Sequence, residues 1–416
     1  MTLSAKFAHI KGSVLSLLKW SALSALMGVI GGILGAVFHH ALQFVTDTRL
    51  AHPWLIFLLP VGGLVIVGIY RLFRLQNNRG TDEIILSVLE KKSVSALVAP
   101  GIFLATAITH LFGGSAGREG AALQLGGSTA SVLGKVLRLD EEDKSAMVIC
   151  GMSAVFAGLF GTPLTAGLFV LEFESVGTIF SPALLPVFVS AIVASKVAGI
   201  LGGHAVTMIQ EQTIAFTFGN FWKIFIIALM IALLGIAVCH IFHKAEHLAH
   251  KGLKSPFLRI AVGGAVIAAL TLLVGDHRFN GAGMEMALDA INGKSQWYFF
   301  VVKLLFTAIT LAAGFKGGEI VPTFCIGATF GCFLGQMLGL DPSFTATLGL
   351  IGLFCAVTNS PLASIALSVE MFGAANLYVF VIVCMITFAV SGNSSLYASQ
   401  VMEFSKYSMI RSRAPK

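Results

Sequence analysis

The chain has 416 residues, of which 56% are hydrophobic and only 11% charged, with a formal net charge of +7. A soluble domain carries about 25% charged residues, so a water-soluble globular architecture is excluded and a polytopic α-helical membrane protein is implied. In such a chain the basic residues report loop placement, and no nucleic-acid partner is expected.

Residues 1–19 form a basic N-terminal segment with Lys6, Lys11 and Lys19. The first apolar stretch begins near residue 12 without a small-residue cleavage site, so no removable signal peptide is expected. That span leads to TDTRLAHP, poor in positive charge. PWLIFLLPVGGLVIVGIY (53–70) then returns to the basic RLFRLQNNR, with Arg71, Arg74 and Arg79. It is about long enough to cross hydrocarbon. GIFLATAITHLF reads as another membrane helix, and GGSAGREGAALQLGG (113–127) follows it, with Arg118 and Glu119 set among glycines. Ser115, Gly117 and Gly120 let the backbone turn tightly and approach other chains closely. AALQLGGSTASVLG then reads as a helix with small residues spaced for close packing.

Glu119 is therefore expected at or just before a helix N-terminus, where the dipole and free N–H groups favour negative charge. A free anion of similar size would compete for that place. Burial favours the neutral carboxyl and the helix end the ionised one, so the side chain can exchange a proton there. The other reading is a fixed Arg118–Glu119 network that only holds helices together. Residue chemistry alone leaves both open.

The second half repeats the first. GTPLTAGLFVLEF (161–173) resembles NSPLASIALSVEM (359–371), so that Pro163 and Glu172 recur as Pro361 and Glu370, each 198 residues on. GGSAGREGAALQLGGSTASVLGK (113–135) resembles AGFKGGEIVPTFCIGATFGCFLGQ (313–336), which places Glu319 200 residues after Glu119. GAVFHHA (35–41) resembles AVCHIFHKA (237–245), and GAGMEMAL (281–288) is the counterpart of the GTDEIIL loop. The expected division is two membrane repeats, 20–215 and 216–400, then a basic tail, 401–416, with Lys406, Arg411, Arg413 and Lys416 and no soluble regulatory domain.

Charge placement inverts between the halves. The second-half span FIIALMIALLGIAVCHIF (225–242) ends at the basic HKAEHLAHKGLKSPFLR, and its return leads to GDHRFNG. By the positive-inside rule the first hairpin begins inside and the second outside, with both termini cytoplasmic in a cell (inner) membrane. GTP (161–163), NSP (359–361) and IVP (320–322) each break an apolar segment. Broken helices at matching places in inverted halves point to a site near the membrane midplane. Glu172 and Glu370 are expected at helix ends, in structural roles. Lys316 reads either as a solvated charge or as an electrostatic attractor.

GGSAG (113–117) also fits the nucleophile-elbow pattern, which makes an intramembrane serine hydrolase a formal alternative. An elbow needs a preceding strand and a histidine, and His110 lies too near along the chain. A structural scaffold is a third reading, and it leaves the buried acids unexplained. The six cysteines form no CxxC and read as small buried hydrophobes. There is no HExxH and no metal-ligand spacing, and no cofactor is expected.

GREG before an apolar helix, GTPLTAGLFVLE, GGEIVP and the inverted repeat resemble the CLC family of anion channels and anion/proton exchangers over about residues 20–400. The resemblance implies an all-α inverted-topology fold with many tilted and broken helices. It also implies a homodimer with one pathway per subunit, exchanging an inorganic anion for protons. Glu119 takes the family's gating and proton-transferring position, and Tyr397, in GNSSLYASQ, that of an anion-site tyrosine. The anion-binding stretches carried over are Gly80 and Thr81, Gly117, Arg118 and Gly120, and Ile320 and Val321.

NNRGTDEII (77–85) lacks the GSGIP of the chloride branch, GREGA replaces GREGP, and Phe173 stands where a proton-route glutamate would lie. GFKGGEIVP instead resembles the fluoride-exporting branch, which makes Glu319 a second proton-transfer residue. Two departures from that branch are Gly80–Thr81, where it presents asparagine or methionine, and Val321, where it often has threonine. Fluoride export coupled to proton entry is the first expectation. Chloride/proton exchange comes second and a passive chloride channel third.

Overall fold

The computed structural model of the chain describes the backbone of residues 3–172, 175–203, 217–403 and 406. Glycine, proline and polar helix ends cut the apolar sequence into sixteen α-helices among them. The first eight are α1 (Leu3–Ala51), α2 (Leu59–Leu72), α3 (Thr81–Leu89), α4 (Val98–Leu111), α5 (Glu119–Val136), α6 (Glu141–Phe160), α7 (Pro163–Glu172) and α8 (Leu184–Ile200). The second eight follow in the same order of long and short: α9 (Phe218–Gly252), α10 (Pro256–Val274), α11 (Met284–Ile291), α12 (Phe299–Ala313), α13 (Ile320–Leu338), α14 (Pro342–Thr358), α15 (Pro361–Phe372) and α16 (Leu377–Val390). Seven helical segments among the described residues are long and apolar enough to cross a bilayer. The described strands, β1 (Ser175–Val176) and β2 (Val401–Met402), pair in parallel and tie the chain beyond α16 to the α7–α8 connection.

Counterpart helices run in opposite directions. Along the α2–α10 contact, Pro60 abuts Gly264 and Gly63 abuts Ile260, so one number rises as the other falls. Helices α7 and α15 cap each other head to tail. Glu172, at the end of α7, accepts the N–H groups of Leu362 (3.1 Å) and Ala363 (2.8 Å) at the start of α15. Glu370, near the end of α15, accepts the N–H groups of Leu164 and Thr165, both at 2.8 Å, and the Thr165 hydroxyl at 2.6 Å. Each carboxylate thus satisfies donors that a helix start leaves without partners. A two-fold axis in the membrane plane generates this reciprocity.

The punctuation follows from single residues. Gly161 closes α6 at φ 70° and Pro163 opens α7. Asn359 closes α14 at φ 58° and Pro361 opens α15. IVP behaves differently from its expectation. Pro322 falls in the first turn of α13, where a missing N–H has no acceptor to lose, so it opens a helix and does not break one. Helix α1 likewise runs unbroken from Leu3 past Lys19, the expected edge of the N-terminal segment. Its 49 residues span roughly 70 Å, well beyond a hydrocarbon thickness of about 30 Å. Lys19 pairs there with Asp143 in the first turn of α6. Phe173, the expected junction at 215/216, and Arg411, Arg413 and Lys416 lie outside the described residues.

The core is built by two tight helix pairs, α5 on α6 and α13 on α14. A Cβ on Gly126 would overlap the Gly151 carbonyl, and one on Gly327 the Gly349 carbonyl. Without side chains between them the backbones pack at close range, the usual means of helix association where lipid removes the hydrophobic drive. All six cysteines are free and buried among these apolar elements. The starts of α5 and α13, with Glu119 and Glu319, therefore lie inside the protein and away from lipid.

Candidate functional site

The loops that open α5 and α13 meet back to back. The Gly117 N–H donates to the Gly318 carbonyl at 2.6 Å and the Gly318 N–H to the Gly117 carbonyl at 2.9 Å. Glu119 turns back over this bridge. A Cβ on either Gly117 or Gly318 would overlap its carboxylate, so the two glycines form the niche in which it rests. Glu119 is 0% exposed, and neither of its oxygens has a hydrogen bond of ordinary geometry. The peptide groups of Arg118, Glu119 and Val321 lie close enough to act on it as dipoles. A fully buried carboxylate without firm partners is held weakly for its charge, because desolvation is offset only by nearby peptide dipoles and the charge of Arg118.

The other expected residues gather around that niche. Gly80, at φ 68°, caps α3, and the Thr81 hydroxyl stands against Gly120. Asp82 accepts the Ser399 N–H at 2.9 Å, which ties the start of α3 to the loop carrying the buried Tyr397. Glu319 caps α13, half-buried, with its Oε2 unbonded. Ile320 and Val321 form the first turn of α13, fully buried. The Arg118 Nη1 donates to His39 Nδ1 at 3.1 Å, and its guanidinium lies 5.1 Å over the Phe160 ring. That side chain reaches toward α1 and α6 while its peptide stays at the niche.

Two cavities approach the niche from opposite ends of α10. The first, about 510 Å³, is lined by Arg49, Arg118, Asn280, Glu285 and Val321. The second, about 490 Å³, is lined by Gly80, Thr81, Gly317, Glu319 and Tyr397. Arg259, near the start of α10, faces the second, and Asp276, His277, Arg278 and Asn280, just past its end, face the first. The 19 residues of α10 cover roughly 28 Å, close to the hydrocarbon thickness. Glu119 sits between, where the two cavities do not join. Lys316 lines the second cavity with its ammonium 4.8 Å over the Tyr70 ring.

Behind the loop before Glu119 lies a buried lysine. Lys303, on α12, is 0% exposed and donates to Ser115 Oγ (2.9 Å) and to the carbonyls of Phe279 (3.1 Å) and Gly281 (2.6 Å). Asn280 Nδ2 donates to the Gly113 carbonyl at 3.0 Å and the Gly281 N–H to that of Gly114 at 3.1 Å. The GAGMEMAL turn is thereby stitched to the GGSAG loop. Ser115 is fully buried, helix α4 precedes it where an elbow needs a strand, and His110 faces the Gly117 carbonyl. The nucleophile-elbow geometry is absent.

Residues 62–392 match the family profile described as "Voltage gated chloride channel". The chain belongs to the CLC family. Among its relatives, the "Chloride/fluoride channel protein" of Pseudomonas syringae pv. tomato is 32% identical over 396 residues, 94% of this chain and 88% of the relative. The "H(+)/Cl(-) exchange transporter ClcA" of Vibrio campbellii is 24% identical over 84% of this chain and 81% of its own length. The solved structure of a CLC-type fluoride/proton antiporter superimposes with a TM-score of 0.90 at 31% identity, over 93% of this chain and 99% of that one.

In this CLC chain the sequence reading missed Lys303, Gly318, Asp82 and Gln124. Lys303 had a visible signal, a lone charge in FFVVKLLFTAITLAA. Gln124, whose Nε2 donates to the Gly120 carbonyl at 3.1 Å beside the second cavity, had none.

Proposed function

We propose that this CLC protein is an anion/proton antiporter that exports fluoride and admits protons, with Glu119 as gate and Glu319 as its inner proton partner. The observation that carries the reading is the complete burial of the Glu119 carboxylate between glycines from both halves, with a cavity on either side. An ionised Glu119 fills the niche as an anion would. Once protonated it has no charge for the helix ends to hold, and an anion can take its place. Occupation by one or the other makes exchange obligatory, since each must leave before the other binds.

Fluoride suits such a site because it is small, strongly hydrated and a strong acceptor. A protonated carboxyl can donate to it and replace part of its lost water. Glu319 faces the second cavity on the far side of the bridge, where it can pass the proton on. Chloride exchange is the second reading, favoured by Val321, which offers no hydroxyl beside the niche.

The second cavity is assigned to the cytoplasmic side. Arg71, Arg74, Lys251, Lys254 and Arg259 cluster at that end of α2, α9 and α10, as the positive-inside rule asks of a cell-membrane protein. Both termini then lie inside, and the repeats divide as 20–215 and 216–400. Every proposed site residue comes from one chain, so each subunit of a homodimer carries a complete route.

The test is flux from liposomes loaded with sodium fluoride or sodium chloride, with protons recorded alongside. The expected result is stoichiometric proton entry with fluoride exit, faster than with chloride, and loss of the coupling in Glu119→Gln. Proton-coupled transport that survives unchanged in Glu119→Gln removes the mechanism, and preference for chloride removes the ion assignment.

A further inference from the structure

The first cavity is graded in charge from rim to floor. Its rim carries the exposed carboxylates Asp47, Glu285 and Asp289, together with Asp276, whose Oδ2 is 2.6 Å from the Arg278 Nε. Its floor carries Arg49, Arg118 and His110, with Lys303 directly behind Gly283. Most floor groups are engaged within the protein. Lys303 meets three oxygens, Arg118 meets His39, and His110 meets the Gly117 carbonyl at 3.2 Å.

Arg49, near the C-terminal end of α1, differs. Its Nε is buried without a hydrogen bond, and its guanidinium lies flat against Gly281, with Nη2 only 3.0 Å from where a Cβ would stand. Glu285 is the carboxylate that acts on it, yet the two are not within ion-pair distance. Arg49 is permanently charged and half-buried, and among the described residues no acceptor meets its buried Nε.

We propose that the floor of the first cavity is a second anion site, in which Arg49 holds a small inorganic anion after it leaves the niche of Glu119. The proposal rests on the anion-transport reading above and adds a station to it. A guanidinium fork suits a compact acceptor, and the cavity leaves room for water on the anion's far side, so rehydration proceeds in two steps. The exposed rim carboxylates then oppose re-entry of the anion, and Glu285 competes with it for Arg49.

The test is calorimetric titration of sodium fluoride into the intact, detergent-purified protein, with sodium chloride for comparison. Arg49 and Glu285 line the first cavity and not the second, so the difference between their variants and the wild type reads the floor of the first. Arg49→Gln should weaken fluoride binding about tenfold, the loss of a charge-assisted hydrogen bond, with Arg49→Lys in between. Glu285→Gln should tighten it about twofold, the effect of one exposed charge. Opposite signs at the two positions do not arise from disturbed packing. Binding unchanged in Arg49→Gln, or weakened in Glu285→Gln, overturns the site. Should Arg49→Gln elute as aggregate, the Glu285→Gln result decides, with tightening in support and anything else against. Coupled flux in wild-type liposomes with unchanged Arg49→Gln binding removes this site alone. Absence of coupled flux removes the transport reading whatever Arg49 binds.

Discussion

Alanine at Gly318 tests whether Glu119 is held by fit. A Cβ there would overlap the carboxylate and stand 2.8 Å from the peptide nitrogens of both Glu119 and Gly120. Those nitrogens belong to the start of α5, which packs on α6 without slack, so the side chain must give way. Overpacking of this kind costs about 1–3 kcal/mol, and every 1.4 kcal/mol is tenfold in population, so the seated carboxylate should become roughly ten- to a hundredfold less favoured. In liposomes the expected outcome is faster fluoride efflux with fewer protons moved per fluoride, read with a fluoride electrode and a pH dye. Gly68→Ala is the control, since a Cβ there meets nothing within 4 Å. A Gly318→Ala protein that exchanges fluoride and protons in the wild-type ratio would refute the idea that these glycines seat the gate.

Glu319→Gln should slow proton-coupled fluoride exchange while leaving the fold intact, because its Oε2 has no bond to lose. Unchanged exchange in liposomes would make that glutamate structural. Glu370→Ala removes three hydrogen bonds from the start of α7 and should destabilise the protein by about 2 kcal/mol, seen as a lower unfolding temperature in detergent, with the proton-to-anion ratio intact. A shifted ratio at an unchanged unfolding temperature would instead put Glu370 on the proton route.

The repeat was legible in the sequence because each half must end helices in mid-protein, and few residues do that. Gly161–Pro163 and Asn359–Pro361 show it plainly. The place of Glu119 at a buried helix start was legible for a related reason, since a charge amid apolar residues and glycines has few places to sit. Lys303 carries the same signal, but its meaning lies in what it touches. Ser115 is 188 residues away and Gly281 is 22, and no local pattern joins them. Pro322 misled because proline in an apolar run reads alike whether it breaks a helix or opens one. Only the position of the α13 start separates the two cases. Arg118 was readable as a charge, but its turn toward His39 depends on how α1 packs.

The paired backbone hydrogen bonds between Gly117 and Gly318 constrain how access could switch sides. They fasten one half to the other at the midpoint of the proposed route, with donor–acceptor lengths of 2.6 and 2.9 Å. Neither half can rock on its neighbour without breaking them. Opening must therefore be a small swing of single side chains inside a frame that stays still, on the scale of a rotamer and not of a domain.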